Sequence, residues 1–257
     1  MIPRGNPAAP ALLCTLDRGG DGAPLYLVPS AGLTPLSLVR LARAISPRRP
    51  VHAFAYAGME DDAPPHRTLP EMATAYVAEL LGGRAQGPYL LGGHCFGGLV
   101  ALEIALQLEA RGEAVACLVV LDAIAPLLAD ADPGPIGPDR DSRPSAGLEE
   151  HVRRALDGIV ARTESHYPLL PAEISRRLVR TLRLHVEAGL AYRARRLHAP
   201  THVLRTRECH DAVLAGWAAI AAGGLSRHEV PGDTFSMLQP PHVEAVGRCL
   251  GAALQEE

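Results

Sequence analysis

Residues 88–112, PYLLGGHCFGGLVALEIALQLEARG, constrain the fold more than any other stretch of the chain. A short apolar run of strand length, 88–93, passes through glycines into a helical pattern, 96–112, that is apolar on most sides. Such a helix must be buried, and Gly112 supplies a plausible C-terminal stop. A strand feeding a buried helix is the unit of a parallel sheet covered by crossover helices. The same rhythm precedes and follows it. Strands are predicted at 24–30, 51–56 and 116–123, with helices at 36–46 and 69–81, the latter opening with Pro70. ACLVVLDA (116–123) is apolar without alternation, as expected of a strand covered on both faces.

After residue 128 the rhythm breaks. ADADPGPIGPDRDSRPSAG (129–147) reads as a loop, and two amphipathic helical patterns follow, roughly 148–164 and 171–196. Alternation then resumes with strand 201–206, helix 211–222, strand 226–230 and helix 241–254. The expectation is a single α/β domain over residues 1–257. Its sheet is mostly parallel and flanked by helices, a helical insertion spans about 125–198, and residues 1–20 are linker-like.

A formal net charge of −3 gives no basic surface for nucleic acid or an anionic membrane. No apolar run reaches the ~18 residues a spanning helix needs. All 25 basic residues are arginine, so no lysine is available as a base or for a Schiff base. Cys14, Cys95, Cys117, Cys209 and Cys249 are scattered, with no CxxC pair and no metal-type cluster with histidine. A reduced, cytoplasmic protein with no metal is expected.

Gly93-His94-Cys95-Phe96-Gly97 fits the G-x-nucleophile-x-G elbow, with the strand before it and the helix after it that this turn requires. Glycines flank the centre because the turn leaves no room for Cβ atoms. The helix N-terminus is expected to lower the Cys95 thiol pKa. The plain alternative is a buried cysteine in a glycine-rich turn.

Together, APLYLVPSAGLTPLSLVRLARAI, PYLLGGHCFGG, LVVLDA, the insertion and GDTFSML resemble one family over nearly the whole length. These are the α/β-hydrolase thioesterase domains that release acyl or peptidyl chains from carrier proteins of nonribosomal peptide and polyketide assembly lines. The resemblance implies an α/β-hydrolase fold with a helical lid, Cys95 in place of the usual serine nucleophile, and Asp122 as the acid. It implies an oxyanion hole from the N–H of Phe96 and from Ser30 or Ala31. It implies no cofactor of the chain's own, a substrate carried on the phosphopantetheine of a carrier protein, and small acyl or peptidyl substrates. At the family's histidine base stands Thr234. His210 and His242 are the candidate substitutes, since His94 is expected to point away from Cys95.

Threonine cannot take a proton from a thiol near neutral pH. Thioester exchange needs only an attacking and a leaving thiolate, whereas hydrolysis must deprotonate water. The expected outcome is therefore release by cyclisation to a lactam or lactone rather than hydrolysis. A shuttle transferase between carriers, or a catalytically impaired docking domain, are the alternatives. The arginine-rich RLHVEAGLAYRARRL (183–197) would meet an acidic carrier or its phosphate, or form a solvated face, and Trp217 is expected to pack in the core. The proline-containing start, MIPRGNPAAPALL, would suit a linker from an upstream carrier domain, and the sequence does not distinguish a freestanding enzyme from the excised end of a synthetase.

Overall fold

The computed structural model describes residues 12–59, 63–83, 86–129, 172–207 and 211–255. In chain order the elements are β1 (Leu13–Asp17), β2 (Leu25–Val28), α1 (Val39–Ala44), β3 (Val51–Phe54), α2 (Leu69–Gly82) and β4 (Tyr89–His94). Then come α3 (Phe96–Glu109), β5 (Val115–Leu121), β6 (Leu127–Leu128), α4 (Ala172–Ala191) and β7 (Arg193–Ala194). The chain finishes with β8 (Thr201–Arg205), α5 (Asp211–Ile220), β9 (Leu225–Glu229) and α6 (Val243–Ala253). Among the described residues seven strands form one sheet in the order β1-β3-β2-β4-β5-β8-β9, parallel except for β1, and β6 pairs with β7 separately.

The unbroken apolar strands are explained by two cores. Along β2, Leu25 and Leu27 face α1 and α6, while Tyr26 and Val28 face α2 and α3. Along β5, Cys117, Val119 and Leu121 join the first core, and Leu118 and Val120 the second. Side chains alternate between faces as the pleat dictates, but both faces are dry, so no polar alternation appears in the sequence. Each fully buried Leu or Val contributes about 1.5–3 kcal/mol.

The sheet order also places the site. From β2 the chain moves to β3 on one side and then to β4 on the other. The loops leaving β2 and β4 therefore diverge to opposite faces and open a crevice at their carboxyl ends, where α/β sheets bind ligands. Ser30 and Ala31 follow β2, and Cys95 follows β4.

Several boundaries differ from the sequence reading. Residues 13–17, expected within a linker, form β1, with Leu13 opposite Phe54. This edge strand is only half buried, so pairing with β3 rather than an apolar run defines it. The helix expected over 36–46 begins as a 3-10 turn, Pro35–Leu38. That expected over 171–196 ends at Ala191, where Arg193 donates to the carbonyls of Leu190 and Tyr192. Helix α3 stops at Glu109, and Gly112 takes the left-handed conformation (φ 78°) of a helix stop. The 148–164 pattern lies outside the described residues. Both edges of the sheet carry ion pairs, Arg48–Asp17 (2.7 Å) beside β1 and Arg207–Glu229 (2.8 Å) on β9.

Helix α4 crosses above the carboxyl ends of the strands with Leu178, Leu182, His185, Ala188 and Tyr192 buried beneath it. This i, i+3, i+4 stripe packs on α3, and Tyr192 just beyond it donates to the buried Glu103 carboxylate at 2.7 Å. Gln107 donates to the other oxygen of Glu103 at 3.0 Å. Tyr192→Phe keeps the ring and removes one donor from a buried acid, so it is expected to destabilise the protein by about 1–3 kcal/mol. Urea unfolding should show the midpoint falling with an unchanged m-value.

Candidate active site

Cys95 lies between β4 and α3 with φ 53° and ψ −121°, a conformation that costs a non-glycine residue roughly 1–3 kcal/mol. Its N–H donates to Leu121 of β5 (2.8 Å), and its carbonyl accepts from Gly98 (2.9 Å). The glycines on either side are required by contact rather than by φ. A Cβ on Gly93 would stand 2.0 Å from the Gly97 carbonyl oxygen, and one on Gly97 would stand 2.2 Å from that of Val28. The first turn of α3 thus rests on the backbone of β2, bringing Cys95 beside Ser30.

Burial pushes the Cys95 thiol above its usual value, and the nearby Asp122 carboxylate adds to this. Hydrogen bonds from the Ser30 hydroxyl and the Phe96 N–H oppose the rise without reversing it. The lowered thiol pKa expected from the helix N-terminus is therefore not found, because desolvation outweighs the dipole.

Asp122, with φ 47° in the left-handed region that Asp tolerates, is held by its own N–H on Leu204 (2.9 Å). Its Oδ1 accepts from the N–H (3.2 Å) and hydroxyl (3.1 Å) of Thr206. Its Oδ2 accepts from the hydroxyl of Thr234. Thr234 is presented by a self-capped turn, in which Asp233 accepts from the N–H groups of Phe235 and Ser236 while Ser236 accepts from that of Asp233. Buried Met237 and Leu238 anchor the next turn. His94 donates from Nε2 to the Thr234 carbonyl at 2.7 Å, with Nδ1 buried and unpartnered. Burial pushes its pKa down, so it serves as a neutral clamp on the Thr234 loop.

Cys95, Ser30, Phe96, Asp122 and Thr234 are thus brought together. Ala31 follows Ser30 in the same turn, which the Leu33 N–H closes on the Ser30 carbonyl at 3.1 Å. His242 is not brought onto Asp122. It precedes α6 with its ring against Gly232. His210 lies outside the described residues. Trp217 is fully buried and donates to the Ala123 carbonyl at 2.8 Å, a packing role as expected. Arg196 caps Ala219 (2.6 Å), so that arginine and Arg193 satisfy backbone carbonyls.

His185 was not singled out in the sequence. Its ring lies on that of Phe96, 4.7 Å between centroids and 9° from parallel. The available signal was a lone histidine on the apolar stripe of an amphipathic helix. Among the described residues no group of His, Cys, Asp and Glu could hold a metal, and no helix is long and apolar enough to cross a membrane.

Because the thiol is raised, iodoacetamide labelling of Cys95, followed by peptide mass mapping, is expected to climb steadily from pH 7 to 9 without a plateau. Ser30→Ala removes a donor to the thiolate and should slow labelling at pH 8 by about threefold to tenfold. An unchanged rate would mean that this hydroxyl does not tune the thiol.

The chain is 28% identical to indigoidine synthase of Dickeya dadantii over 255 residues, which cover 90% of the chain and 17% of that protein. It is 28% identical to nonribosomal peptide synthetase atqA of Aspergillus terreus, covering 92% of the chain and 28% of that protein. The chain thus spans under a third of the length of either curated relative. Among solved structures, the Vlm2 thioesterase domain bound with a dodecadepsipeptide superposes with a TM-score of 0.71 at 28% identity, covering 93% of this chain and 97% of that one. The NocB thioesterase domain, in covalent complex with a fluorophosphonate nocardicin G analog, gives 0.74 at 26%, covering 95% and 100%. The sheet and its flanking helices match these thioesterase α/β-hydrolase structures. The thioesterase domain model matches residues 23–254, and the chain belongs to that family.

Proposed function

We propose that the protein accepts an acyl or peptidyl chain from the phosphopantetheine thioester of a carrier-protein domain onto Cys95 and releases it by cyclisation rather than hydrolysis. The observation that carries this reading is the threonine hydroxyl, in place of an imidazole, on the Asp122 carboxylate. The substrate class is supported by the nonribosomal peptide synthetase among the relatives and by the dodecadepsipeptide in the Vlm2 domain.

In the first step the Cys95 thiolate attacks the thioester carbonyl, the tetrahedral oxyanion is held by the N–H of Phe96 and of Ser30 or Ala31, and the pantetheine thiolate leaves. One thioester replaces another, so no base is consumed. In the second step an amine or hydroxyl within the chain attacks, the C–S bond breaks, and the departing Cys95 sulfur receives the proton. An amine does this unaided because it is already a good nucleophile, whereas water needs a base to be activated; a chain hydroxyl needs one as well and competes with water only through its tethered proximity to the thioester. Asp122 does not supply that base. Three donors already engage its carboxylate, the N–H and hydroxyl of Thr206 and the hydroxyl of Thr234. The chain brings no cofactor of its own.

Intact-protein mass after mixing with an acyl-pantetheine thioester tests this. The native protein should gain the acyl mass, keep it in water and lose it to an added amine, whereas Cys95→Ala should gain nothing. Thr234→His, checked for an unchanged melting temperature, should discharge the adduct as free acid about 10²–10⁴-fold faster than the native protein. Rapid hydrolysis by the native protein would mean that an imidazole reaches the site after all. Discharge only to a second pantetheine thiol would make it a shuttle transferase, and the absence of any adduct would leave a docking domain.

A further inference from the structure

His185 sits on the buried face of α4, 2% exposed, and has no part in the scheme above. Its Nδ1 accepts the Gly32 N–H at 3.3 Å. Its ring stacks on Phe96 and packs at 4.2 Å, tilted by 56°, on Tyr56, whose hydroxyl donates to the Pro29 carbonyl at 2.6 Å. One side chain of the lid helix therefore touches both backbone segments that meet at Cys95, the turn after β2 and the first turn of α3.

The turn contact has a specific consequence. Residues 30–33 form a β-turn with Gly32 at its third position in the left-handed conformation (φ 67°), the type II arrangement. Types I and II differ by a flip of the central peptide, here Ala31–Gly32. With the Gly32 N–H on His185, the present orientation is held. A flip would set the Ala31 carbonyl oxygen against the same nitrogen, acceptor facing acceptor. Burial, reinforced by nearby His66, brings the pKa of His185 down to about 3, so its imidazole is neutral and Nδ1 keeps its lone pair.

We propose that His185 is a positioning residue, which fixes the Ser30–Ala31 turn relative to Phe96 so that the oxyanion hole is assembled only with α4 seated. This rests on the reading of those N–H groups as oxyanion donors. The Phe96 half is anchored by the ring stack and the Ser30–Ala31 half by the Gly32 hydrogen bond. Loss of either contact leaves one donor segment free to shift.

His185→Phe keeps a stacking ring and removes the acceptor, and His185→Asn restores an acceptor near the Nδ1 position. Hydrogen exchange of amides 30–33 should rise about tenfold in the Phe variant and return towards the native rate in the Asn variant. Acylation of Cys95 by an acyl-pantetheine thioester should fall about tenfold or more in the Phe variant, and in the Asn variant too, which lacks the ring on Phe96. Iodoacetamide labelling of Cys95, which needs no oxyanion hole, should fall less than acylation does and no further than in the Ser30→Ala variant. Native exchange or acylation in the Phe variant, exchange in the Asn variant no slower than in the Phe variant, or labelling that falls as far as acylation would each overturn the proposal. If the native protein is not acylated at all, the chain-release reading fails. Exchange at 30–33 then decides the claim for His185, and an unchanged rate overturns it.

Discussion

The first turn of α3 lies directly on the backbone of β2, and the site follows from that contact. With no Cβ at Gly97, the helix approaches the Val28 and Pro29 carbonyls to a distance no side chain would permit. This puts the residue before the helix beside the residues after the strand. It fixes Cys95 next to Ser30, and Phe96 against His185 of α4. The left-handed backbone at Cys95 is tolerated because both its N–H and its carbonyl are hydrogen-bonded by neighbouring elements.

Against that frame, the Asp122–Thr234 pair has a distinct character. The Asp122 carboxylate accepts three hydrogen bonds, and the loop that presents residue 234 is closed by Asp233, Ser236 and His94. With an apolar side chain at position 234 the part-buried Asp122 carboxylate would be one donor short. Thr234 supplies that donor, so among the described residues the pair is a settled hydrogen-bonded arrangement.

The parallel sheet and its helices were legible because each strand is short, apolar and bounded by turn residues. The elbow was legible because strand, glycines and helix occur together around Cys95. Strand β1 was not, since its partner, rather than its own hydrophobicity, defines it. The direction of the Cys95 pKa shift was misread because the sequence displays the helix dipole but not the desolvation that outweighs it. His185 escaped notice for a related reason. A histidine on an apolar helix face signals burial, but only the fold reveals that the helix lands on Phe96 and Gly32.

The two edges of the sheet have one more consequence. Strand β9 reads Leu-Ser-Arg-His-Glu, and Asp17 at the end of β1 is engaged by Arg48. A foreign strand adding at either margin would have to strip water from these charges before gaining a ladder of backbone bonds. The sheet is thus terminated chemically rather than geometrically, which protects it from templating aggregates despite its seven-stranded, largely apolar interior.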